Sequence, residues 1–301
     1  MCGIVGLFAK SAEIESSLGA HLAAMLTQMS DRGPDSAGIA VYRNPAPAGS
    51  SKLTLYSADP LQDWEAIATE LANVFGGSPE ASVRSSHAVV VVDTEAAEAE
   101  AWVKDAHPEL RVMSAGQTIE IYKDTGRPEG FVSQFALEDF HGSHALGHTR
   151  MATESRVTTE GSHPFSTGLD LCLVHNGSLS NHNRLREELR RQGIGFQTEN
   201  DTEVAAAYLA WRLHEGASLE QALEGSLDDL DGFYTFLVGT ADGFAVLRDP
   251  IACKPAVIAE SDDWVAMASE WRAIAVLPGA SEARTWEPAP GVVYAWERAK
   301  V

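Results

Sequence analysis

Cys2 stands at the second position of the chain, where a thiol can do chemistry that an internal cysteine cannot. Initiator methionine is commonly removed when the next residue is small, and removal of Met1 would place a free α-amine beside this thiol. An α-amine has a pKa of about 7.7–8.0, so a useful fraction is neutral at pH 7. This amine can take the thiol proton directly or through one water. Cys2 is therefore a candidate nucleophile that would carry its own base; the alternative is a cysteine that stands at position 2 by chance.

The residues around Cys2 are the first of seven short blocks that follow one another along the chain. The blocks are MCGIVG at 1–6, RGPDSAG at 32–38, GHTRMAT at 147–153, HPF at 163–165, HNG at 175–177, ENDTE at 199–203, and a last group made of RDP at 248–250, KP at 254–255 and ASE at 268–270. In composition and order they resemble the blocks of class II glutamine amidotransferases, which are N-terminal-nucleophile hydrolases. The blocks span nearly the whole chain except residues 44–142. Each block alone is a weak signal, but the ordered set is specific.

The resemblance implies how the amide of glutamine is activated. Attack of Cys2 on the amide carbon creates an oxyanion, and the family's oxyanion hole is matched by the side chain of Asn176 and the backbone N–H of Gly177. One such donor is worth roughly 3–4 kcal/mol in the transition state. The alternative for an Asn-Gly pair is a tight hairpin turn. Loss of ammonia leaves a thioester, which water converts to glutamate.

The resemblance also assigns residues to the amino-acid head of glutamine. Arg150 matches the family's carboxylate ligand, since its planar guanidinium can donate two parallel hydrogen bonds; the alternative is a surface arginine. Asp201 matches the residue that holds the α-ammonium group, and the simpler interpretation is a helix N-cap. Arg32 is implied to order the loop around the nucleophile. His163 and Thr153 are implied to line the pocket.

Two positions near the glutamine-binding arginine depart from the family pattern. Position 151 is Met where relatives usually carry an aromatic residue, and position 154 is Glu where some carry His. Both departures could alter glutamine affinity or closure of the pocket. They motivate the alternative of a catalytically silent subunit that senses glutamine.

A second alternative is a metal hydrolase. His141, His144 and His148 have spacings of three and four, which on a helix would place them on one face. Gly142 and Gly147 disfavour that helix, because glycine is a poor residue in a helix interior. No metal site is therefore predicted.

The pattern of apolar residues predicts an α+β protein. Residues 2–9 are typical of a buried strand, and 18–29 of an amphipathic helix that packs on its sheet. Helices at 183–192 and at 202–214, the latter capped by Asp201, precede strands at 233–239, 243–247, 256–259, 264–268 and 292–296. Runs of strands and pairs of helices favour stacked layers over βαβ alternation. The resemblance makes this a four-layer αββα sandwich of the N-terminal-nucleophile hydrolase type.

One glutamine amidotransferase domain is predicted over 2–301, with an inserted α+β segment at 44–142. This segment is acidic, with Glu95, Glu98, Glu100 and Asp105 and few lysines to balance them. A solvated, charge-rich subdomain is the ordinary interpretation, and a surface that faces a partner is the other.

The composition excludes several classes of protein. A net charge of −21 argues against nucleic acid or an anionic membrane as the main partner. No apolar run approaches the roughly 18–20 residues of a membrane span, and the short apolar N-terminus lacks the basic region of a signal peptide. The three cysteines form no CxxC pair and no disulfide framework, so a reducing, cytoplasmic setting is expected. Cys172 and Cys253 are expected to be buried structural thiols.

The chain ends within a few residues of the strand predicted at 292–296 and leaves no segment for a synthase. We therefore expect a hetero-oligomer in which a separate synthase subunit receives ammonia from L-glutamine. The free-standing form and the insertion resemble the small, glutaminase subunits of glutamate-synthase-like complexes, of the N-methylglutamate synthase (methylamine–glutamate N-methyltransferase) type. No cofactor is predicted in this chain, since the flavin and any iron–sulfur cluster of such complexes belong to the partners. An asparagine-synthetase-like or phosphoribosylamine-forming partner is the alternative.

Overall fold

A computed structural model of the protein describes residues 2–77, 80–152 and 156–298. In chain order, the strands in these ranges are β1 (Gly3–Ala9), β2 (Ser36–Tyr42), β3 (Ser51–Tyr56), β4 (Ala81–Arg84), β5 (His87–Val92), β6 (Arg111–Gly116), β7 (Ile119–Thr125), β8 (His144–Arg150), β9 (Phe165–Gly168), β10 (Leu171–Leu179), β11 (Gly232–Gly239), β12 (Gly243–Arg248), β13 (Val257–Glu260), β14 (Trp264–Ala268), β15 (Arg284–Trp286) and β16 (Val293–Glu297). The strands predicted after residue 230 agree with these bounds to within one residue.

The α-helices in the same ranges are α1 (Ala12–Ser16), α2 (Leu18–Thr27), α3 (Trp64–Phe75), α4 (Ala96–Ala106), α5 (Pro128–Gln134), α6 (His182–Arg191), α7 (Asp201–His214), α8 (Leu219–Asp229) and α9 (Trp271–Ile274). A short 3-10 turn covers Leu137–Asp139. Among these described helices, none has both the length and the apolar character needed to cross a bilayer.

The strands of the described ranges form three antiparallel sheets. The seven-stranded sheet has the order β15-β13-β14-β1-β8-β2-β7, the five-stranded sheet the order β16-β12-β11-β10-β9, and the four-stranded sheet the order β4-β5-β3-β6. β1 lies in the middle of the largest sheet, between β14 and β8. Because β1 and β8 are antiparallel, with Gly3 opposite Thr149, the start of β1 lies beside the end of β8. Cys2 and Arg150 therefore lie close together at the same end of the sheet.

Alternate residues of β1 face two different apolar cores, as the pleat of a strand requires. Val5 and Leu7 pack with α1, α2, α5 and α9, whereas Ile4 and Phe8 face the five-stranded sheet. The other face of that sheet packs against α6, α7 and α8. The layers thus follow the order helices, sheet, sheet, helices. The predicted α+β fold, a four-layer αββα sandwich, is confirmed.

The two sheets approach each other closely at Gly6. A Cβ at this position would lie 2.6 Å from Cδ2 of Leu237, which belongs to β11 of the facing sheet. A larger residue at position 6 would require the Leu237 side chain to move. Gly6 therefore leaves room for the side chain of Leu237 between the two sheets.

Strands β3 to β6 and helices α3 and α4 form a separate module over residues 51–116, with its own apolar core. A buried ionic cluster joins this module to the sandwich. Glu120 accepts hydrogen bonds from Nζ of Lys52 at 3.0 Å, from Nε of Arg43 at 2.8 Å and from the hydroxyl of Tyr122 at 2.9 Å. We call these four residues the ionic cluster.

Residues 119–142, which fall within the predicted insertion at 44–142, lie in the sandwich. β7 pairs with β2 along its whole length, and α5 packs in the core beside α2. The sequence pattern does not show this, because it identifies strands but not which strands pair. β7 pairs with β2, an earlier strand of the seven-stranded sheet. The separate sheet is therefore confined to 51–116, and its origin as an insertion stays a prediction.

Candidate active site

A cleft of about 920 Å³ lies at the N-terminal end of β1. Six predicted site residues line it, namely Cys2, Arg150, His163, Asn176, Gly177 and Asp201. They come from the start of β1, the end of β8, the segment before β9, the strand β10 and the start of α7. The sandwich thus gathers residues that are far apart in the sequence. The predicted Thr153 and the departing Glu154 lie outside the described residues.

Cys2 is partly exposed in this cleft, and its Sγ donates a hydrogen bond of 3.9 Å to the backbone carbonyl of Met151. Its own carbonyl oxygen accepts from Nε of Arg32 at 3.0 Å and from Nδ2 of Asn176 at 3.3 Å. Arg32 lies in the turn after α2, and Asn176 belongs to the facing sheet. The backbone of the candidate nucleophile is therefore fixed from two layers of the sandwich, while the thiol lies in the cleft wall.

Arg150 ends β8 and is only 6% exposed. Its Nη1 donates to the carbonyl oxygen of Arg156 at 3.3 Å. The backbone on both sides of Met151 is held by Asp35, whose amide donates to the carbonyl of Arg150 at 3.1 Å and whose carboxylate accepts from the amide of Ala152 at 2.8 Å. A shielded, permanently charged guanidinium in a cleft wall suits a carboxylate ligand.

Asp201 lies in the cleft, but its predicted role as N-cap of the helix is wrong. Helix α7 begins at Asp201, and Asn200 is the N-cap, whose side-chain oxygen accepts from the amide of Thr202 at 2.9 Å. Oδ2 of Asp201 instead accepts from the amide of Leu179, on β10, at 3.0 Å. Because Asn200 supplies the cap, the carboxylate of Asp201 remains at the cleft.

Asn176 and Gly177 lie within β10, so the alternative of a hairpin turn at this pair is wrong. Gly177 has a φ of +152°, and a Cβ there would lie 2.0 Å from the carbonyl oxygen of Phe233 on β11. Only glycine fits such an approach of two backbones. β10 is therefore held close to β11 beside the nucleophile, which brings the Asn176 amide within hydrogen-bond reach of Cys2.

Three histidines form a buried network with Thr202, which we call the histidine network. The Thr202 hydroxyl lies 2.8 Å from Nε2 of His163 and 3.0 Å from Nδ1 of His175. His148 stacks on His163 with ring centroids 3.9 Å apart, and its Nε2 lies 3.1 Å from the carbonyl oxygen of His175. The Thr202 hydroxyl also lies 3.5 Å from Oδ1 of Asp201, to which it can donate. Because a hydroxyl carries one proton, Thr202 must accept from at least one of the two imidazoles.

Burial keeps the histidine network uncharged. It lowers the pKa of His148 to about 3 and that of His163 well below its ordinary value. It also lowers the pKa of His175, although the charge of Asp201 opposes this effect. Among the described residues, Nδ1 of His163 and Nε2 of His175 have no hydrogen-bond partner. The network therefore contains two unpaired ring nitrogens that are buried behind the wall of the cleft.

The predicted site omits Thr202 and His175, although both line the cleft. Their positions in the ENDTE and HNG blocks are the signal that could have identified them. Of the other cysteines, Cys172 is buried as predicted, but Cys253 is exposed, so its predicted burial is wrong.

The structure does not support the metal alternative. His144 and His148 lie on strand β8, where a spacing of four does not form a helix face. His144 contacts the carbonyl oxygen of Thr240 at 2.9 Å, away from the histidine network. Within 2–77, 80–152 and 156–298 there is no group of three His, Cys, Asp or Glu that could hold a metal ion.

The chain is similar to known proteins over its whole length. A family model described as a glutamine amidotransferase domain matches residues 148–276. The glutamine amidotransferase-like protein GlxB of Rhizobium meliloti (strain 1021) is 54% identical over 100% of this chain and 99% of its own length. The amidophosphoribosyltransferase of Archaeoglobus fulgidus is 36% identical over 51% of this chain and 35% of its own length.

The fold is shared with a solved enzyme structure. The glutamine phosphoribosylpyrophosphate amidotransferase from B. subtilis, complexed with ADP and GMP, superposes with a TM-score of 0.63 at 22% identity. The match covers 98% of this chain and 47% of that chain, so the chain spans about half the length of that enzyme. At the identity and coverage shared with GlxB, the chain belongs to the class II glutamine amidotransferase family.

Proposed function

We propose that this chain is a glutaminase subunit, which hydrolyses L-glutamine to L-glutamate and ammonia through a thioester on Cys2. The observation that carries the proposal is the placement of the Cys2 thiol in one cleft with the Arg150 guanidinium and the Asp201 carboxylate. An amino-acid head carries one charge of each sign and needs such a pair of ligands. A thiol beside that pair is placed to meet the side-chain amide.

In this proposal, Arg150 binds the α-carboxylate of glutamine and Asp201 binds its α-ammonium group. Both ligands are shielded, since Arg150 is 6% exposed and the side chain of Asp201 is 23% exposed. Charge interactions are stronger in such a site than in open water. His163 lines the wall as a neutral ring. Thr153 stays a proposed contact on the strength of the sequence.

The first half of the reaction forms the thioester. After removal of Met1, the α-amine of Cys2 takes the thiol proton, and the thiolate attacks the side-chain amide carbon of glutamine. The carbonyl oxygen becomes an oxyanion, which the Asn176 side chain and the Gly177 backbone N–H stabilise. Nδ2 of Asn176 carries two hydrogens, so it can serve the oxyanion while it still donates to Cys2.

The second half releases the products. The C–N bond breaks as the α-ammonium group passes its proton to the leaving nitrogen, so ammonia departs and the thioester remains. The same amine then takes a proton from water, which attacks the thioester carbon. The C–S bond breaks, glutamate leaves and the thiol is restored. The buried histidines are uncharged at pH 7 and supply polarity without a charge.

We further propose that ammonia passes to a separate synthase subunit, in a hetero-oligomer of the glutamate-synthase-like or N-methylglutamate synthase type. Ammonia released into water at neutral pH is protonated and loses its nucleophilicity, so direct transfer is the useful arrangement. The flavin and any iron–sulfur cluster of that complex would belong to the partner. Co-purification from the native host tests this step, and a strictly monomeric, fully active glutaminase would contradict it.

The glutaminase proposal is tested with 6-diazo-5-oxo-norleucine, a glutamine-like electrophile. We expect one adduct per chain, on Cys2, together with loss of glutamine hydrolysis. Cys2→Ala should give neither adduct nor hydrolysis. Cys253→Ala is the matched control, because it removes an exposed thiol outside the cleft and should leave both intact.

Intact-mass spectrometry of the same samples shows whether Met1 is absent. Protein that retains Met1 should be inactive, because its catalytic amine is part of a peptide bond. Hydrolysis by Cys2→Ala would contradict the proposal. Binding of glutamine without turnover, in protein that lacks Met1, would indicate a glutamine-sensing subunit instead.

A further inference from the structure

The carbonyl oxygen of Cys2 is the point where the nucleophile is anchored to the rest of the protein. Arg32 donates to it at 3.0 Å and Asn176 at 3.3 Å. In the proposed reaction the Asn176 amide also serves the oxyanion, whereas the Arg32 side chain, which is 9% exposed, takes no part in the oxyanion hole. The hydrogen bond from Arg32 to the Cys2 carbonyl oxygen is therefore expected to persist throughout the proposed reaction.

The orientation of Arg32 depends on Glu270, which lies two residues after the end of β14. Nη1 of Arg32 and Oε1 of Glu270 form a close ion pair. The hydrogen bond from Arg32 also lowers the pKa of Glu270, which keeps this carboxyl ionised. Oε2 of Glu270 accepts from Nε of Arg272 at 2.7 Å. A shielded guanidinium keeps a fixed geometry only while its counter-charge is in place.

The residue before Glu270 fixes the strand that follows the nucleophile. Oγ of Ser269 accepts from the amide of Ile4 at 2.9 Å, and the Ser269 amide donates to the Ile4 carbonyl at 3.0 Å. Ser269 and Glu270 thus act on two neighbouring positions of the N-terminus. Ser269 binds the backbone of Ile4 directly, and Glu270 acts on Cys2 through Arg32. A change at Glu270 can therefore move the nucleophile while β1 stays in register.

We infer that Glu270 is a positioning residue for the nucleophile, and that it acts through Arg32 on the carbonyl oxygen of Cys2. This inference rests on the proposed function, in which Cys2 attacks glutamine. Among the described residues, neither Glu270 nor Arg32 lines the cleft that holds the proposed glutamine ligands. Glu270 therefore affects turnover, and glutamine binding is left to Arg150 and Asp201.

Glu270→Gln tests the inference, because it keeps an acceptor oxygen and removes the charge. We expect kcat for glutamine to fall by about tenfold to hundredfold, the size of effect that a small misplacement of a reacting group produces. KM should stay within about threefold, because the ligands of the amino-acid head are unchanged.

The pH dependence of Cys2 alkylation by iodoacetamide gives a second readout, which a purely structural role would not move. Without the negative charge of Glu270, the positive charge of Arg32 is less opposed and favours the thiolate. The profile of alkylation rate against pH should therefore shift to lower pH in Glu270→Gln. In Glu270→Ala, added formate should restore part of kcat, whereas chloride at the same ionic strength should not.

Glu260→Gln is the matched control. Glu260 lies at the end of β13, is exposed to a similar degree (31% against 33% for Glu270) and pairs with Lys10 at 2.5 Å, beyond the other end of β1. Its kcat, KM and alkylation profile should equal those of the wild type. Equal losses in Glu260→Gln and Glu270→Gln would overturn the inference.

Two other outcomes would also overturn it. One is a wild-type kcat with an unchanged alkylation profile in Glu270→Gln, and the other is a loss carried by KM alone. If Glu270→Gln fails to fold, Glu270→Asp replaces it, since this variant keeps the carboxylate but shortens its reach; a lower kcat at unchanged KM is again expected. Absence of hydrolysis in the wild type would instead count against the proposed function, before any variant is compared.

Discussion

The ionic cluster and the histidine network are both buried, but they differ in how completely their polar groups are paired. Both carboxylate oxygens of Glu120, at the centre of the ionic cluster, accept hydrogen bonds. No side-chain atom of that cluster is among the buried, unpaired polar atoms of the described residues. The histidine network, in contrast, leaves Nδ1 of His163 and Nε2 of His175 unpaired within the same part of the chain.

The two regions therefore respond differently to a change in their surroundings. A fully paired cluster resists rearrangement, because any movement leaves a buried charge without its partner. A network with unpaired buried atoms carries the free-energy cost of their desolvation. The ionic cluster therefore holds the 51–116 module on the sandwich, whereas the histidine network leaves buried polar atoms beside the cleft that no partner fixes.

Glu120→Ala removes the central carboxylate of the ionic cluster and should strongly destabilise the protein. It leaves the buried cations of Lys52 and Arg43 unpaired, so the free energy of unfolding should fall by about 3–5 kcal/mol. Urea unfolding followed by circular dichroism measures it. Glutamine turnover per folded molecule should not change, because the cleft keeps its residues.

Glu100→Ala is the matched control for Glu120→Ala. Glu100 pairs with Lys104 on the exposed face of α4. Its loss should alter the free energy of unfolding by less than about 0.5 kcal/mol. Equal effects of the two substitutions would show that the ionic cluster does not hold the module.

Arg150→Lys tests the cleft, where we expect an effect on glutamine binding and little effect on stability. Lysine keeps the charge but loses the two parallel hydrogen bonds, so KM for glutamine should rise by about tenfold to hundredfold. The free energy of unfolding should change by less than about 1 kcal/mol. Steady-state kinetics and urea unfolding of one preparation distinguish the effect on KM from the effect on the free energy of unfolding. Arg190, an exposed residue of α6 that does not line the cleft, is the control and should keep the wild-type KM when it is changed to Lys.

His87→Phe removes an unpaired buried imidazole that lies outside the cleft and should change how stability depends on pH. His87 is fully buried beside the rings of Tyr56, Tyr122 and Phe135, and its Nε2 has no partner in the described chain. Burial lowers the pKa of His87 to about 3. We expect this unpaired nitrogen, which lies outside the cleft, to lower the free energy of unfolding without affecting turnover.

The sign of the pH effect follows from proton linkage. Between pH 7 and pH 5 the unfolded state binds a proton at this histidine, whose ordinary pKa is about 6.5, and the native state does not. The wild type should therefore lose about 2 kcal/mol more than His87→Phe over this interval. Urea unfolding at the two pH values measures the difference. An equal loss in both proteins would show that His87 is protonated in the native state.

Much of the fold and the site could be predicted, because the relevant signals are local. The alternation of apolar residues gives β1 and the strands after residue 230, and amphipathic spacing gives α6 and α7. The identities of Cys2, Arg150 and Asp201 carry chemistry whatever fold surrounds them. Six predicted site residues line one cleft.

What could not be predicted depends on pairing between distant segments. A strand pattern at 118–122 does not say that β7 joins β2, so the pattern alone groups residues 119–142 with the neighbouring segment. The contact of Glu270 with Arg32 joins opposite ends of the chain. The cap of α7 lies one residue from its predicted place, because Asn and Asp favour caps almost equally.

The position of β1 has a consequence for the order of events in synthesis. Val5 pairs with Gly147 on one side and with Ala268 on the other, so the strand behind the nucleophile leaves the ribosome long before either neighbour exists. During that interval the N-terminus is an unpaired chain that an aminopeptidase can reach, as the proposed removal of Met1 requires. In the proposed reaction, Cys2 then has its free amine before it is held in place. The proposed release of ammonia must wait until nearly all of the protein has been made.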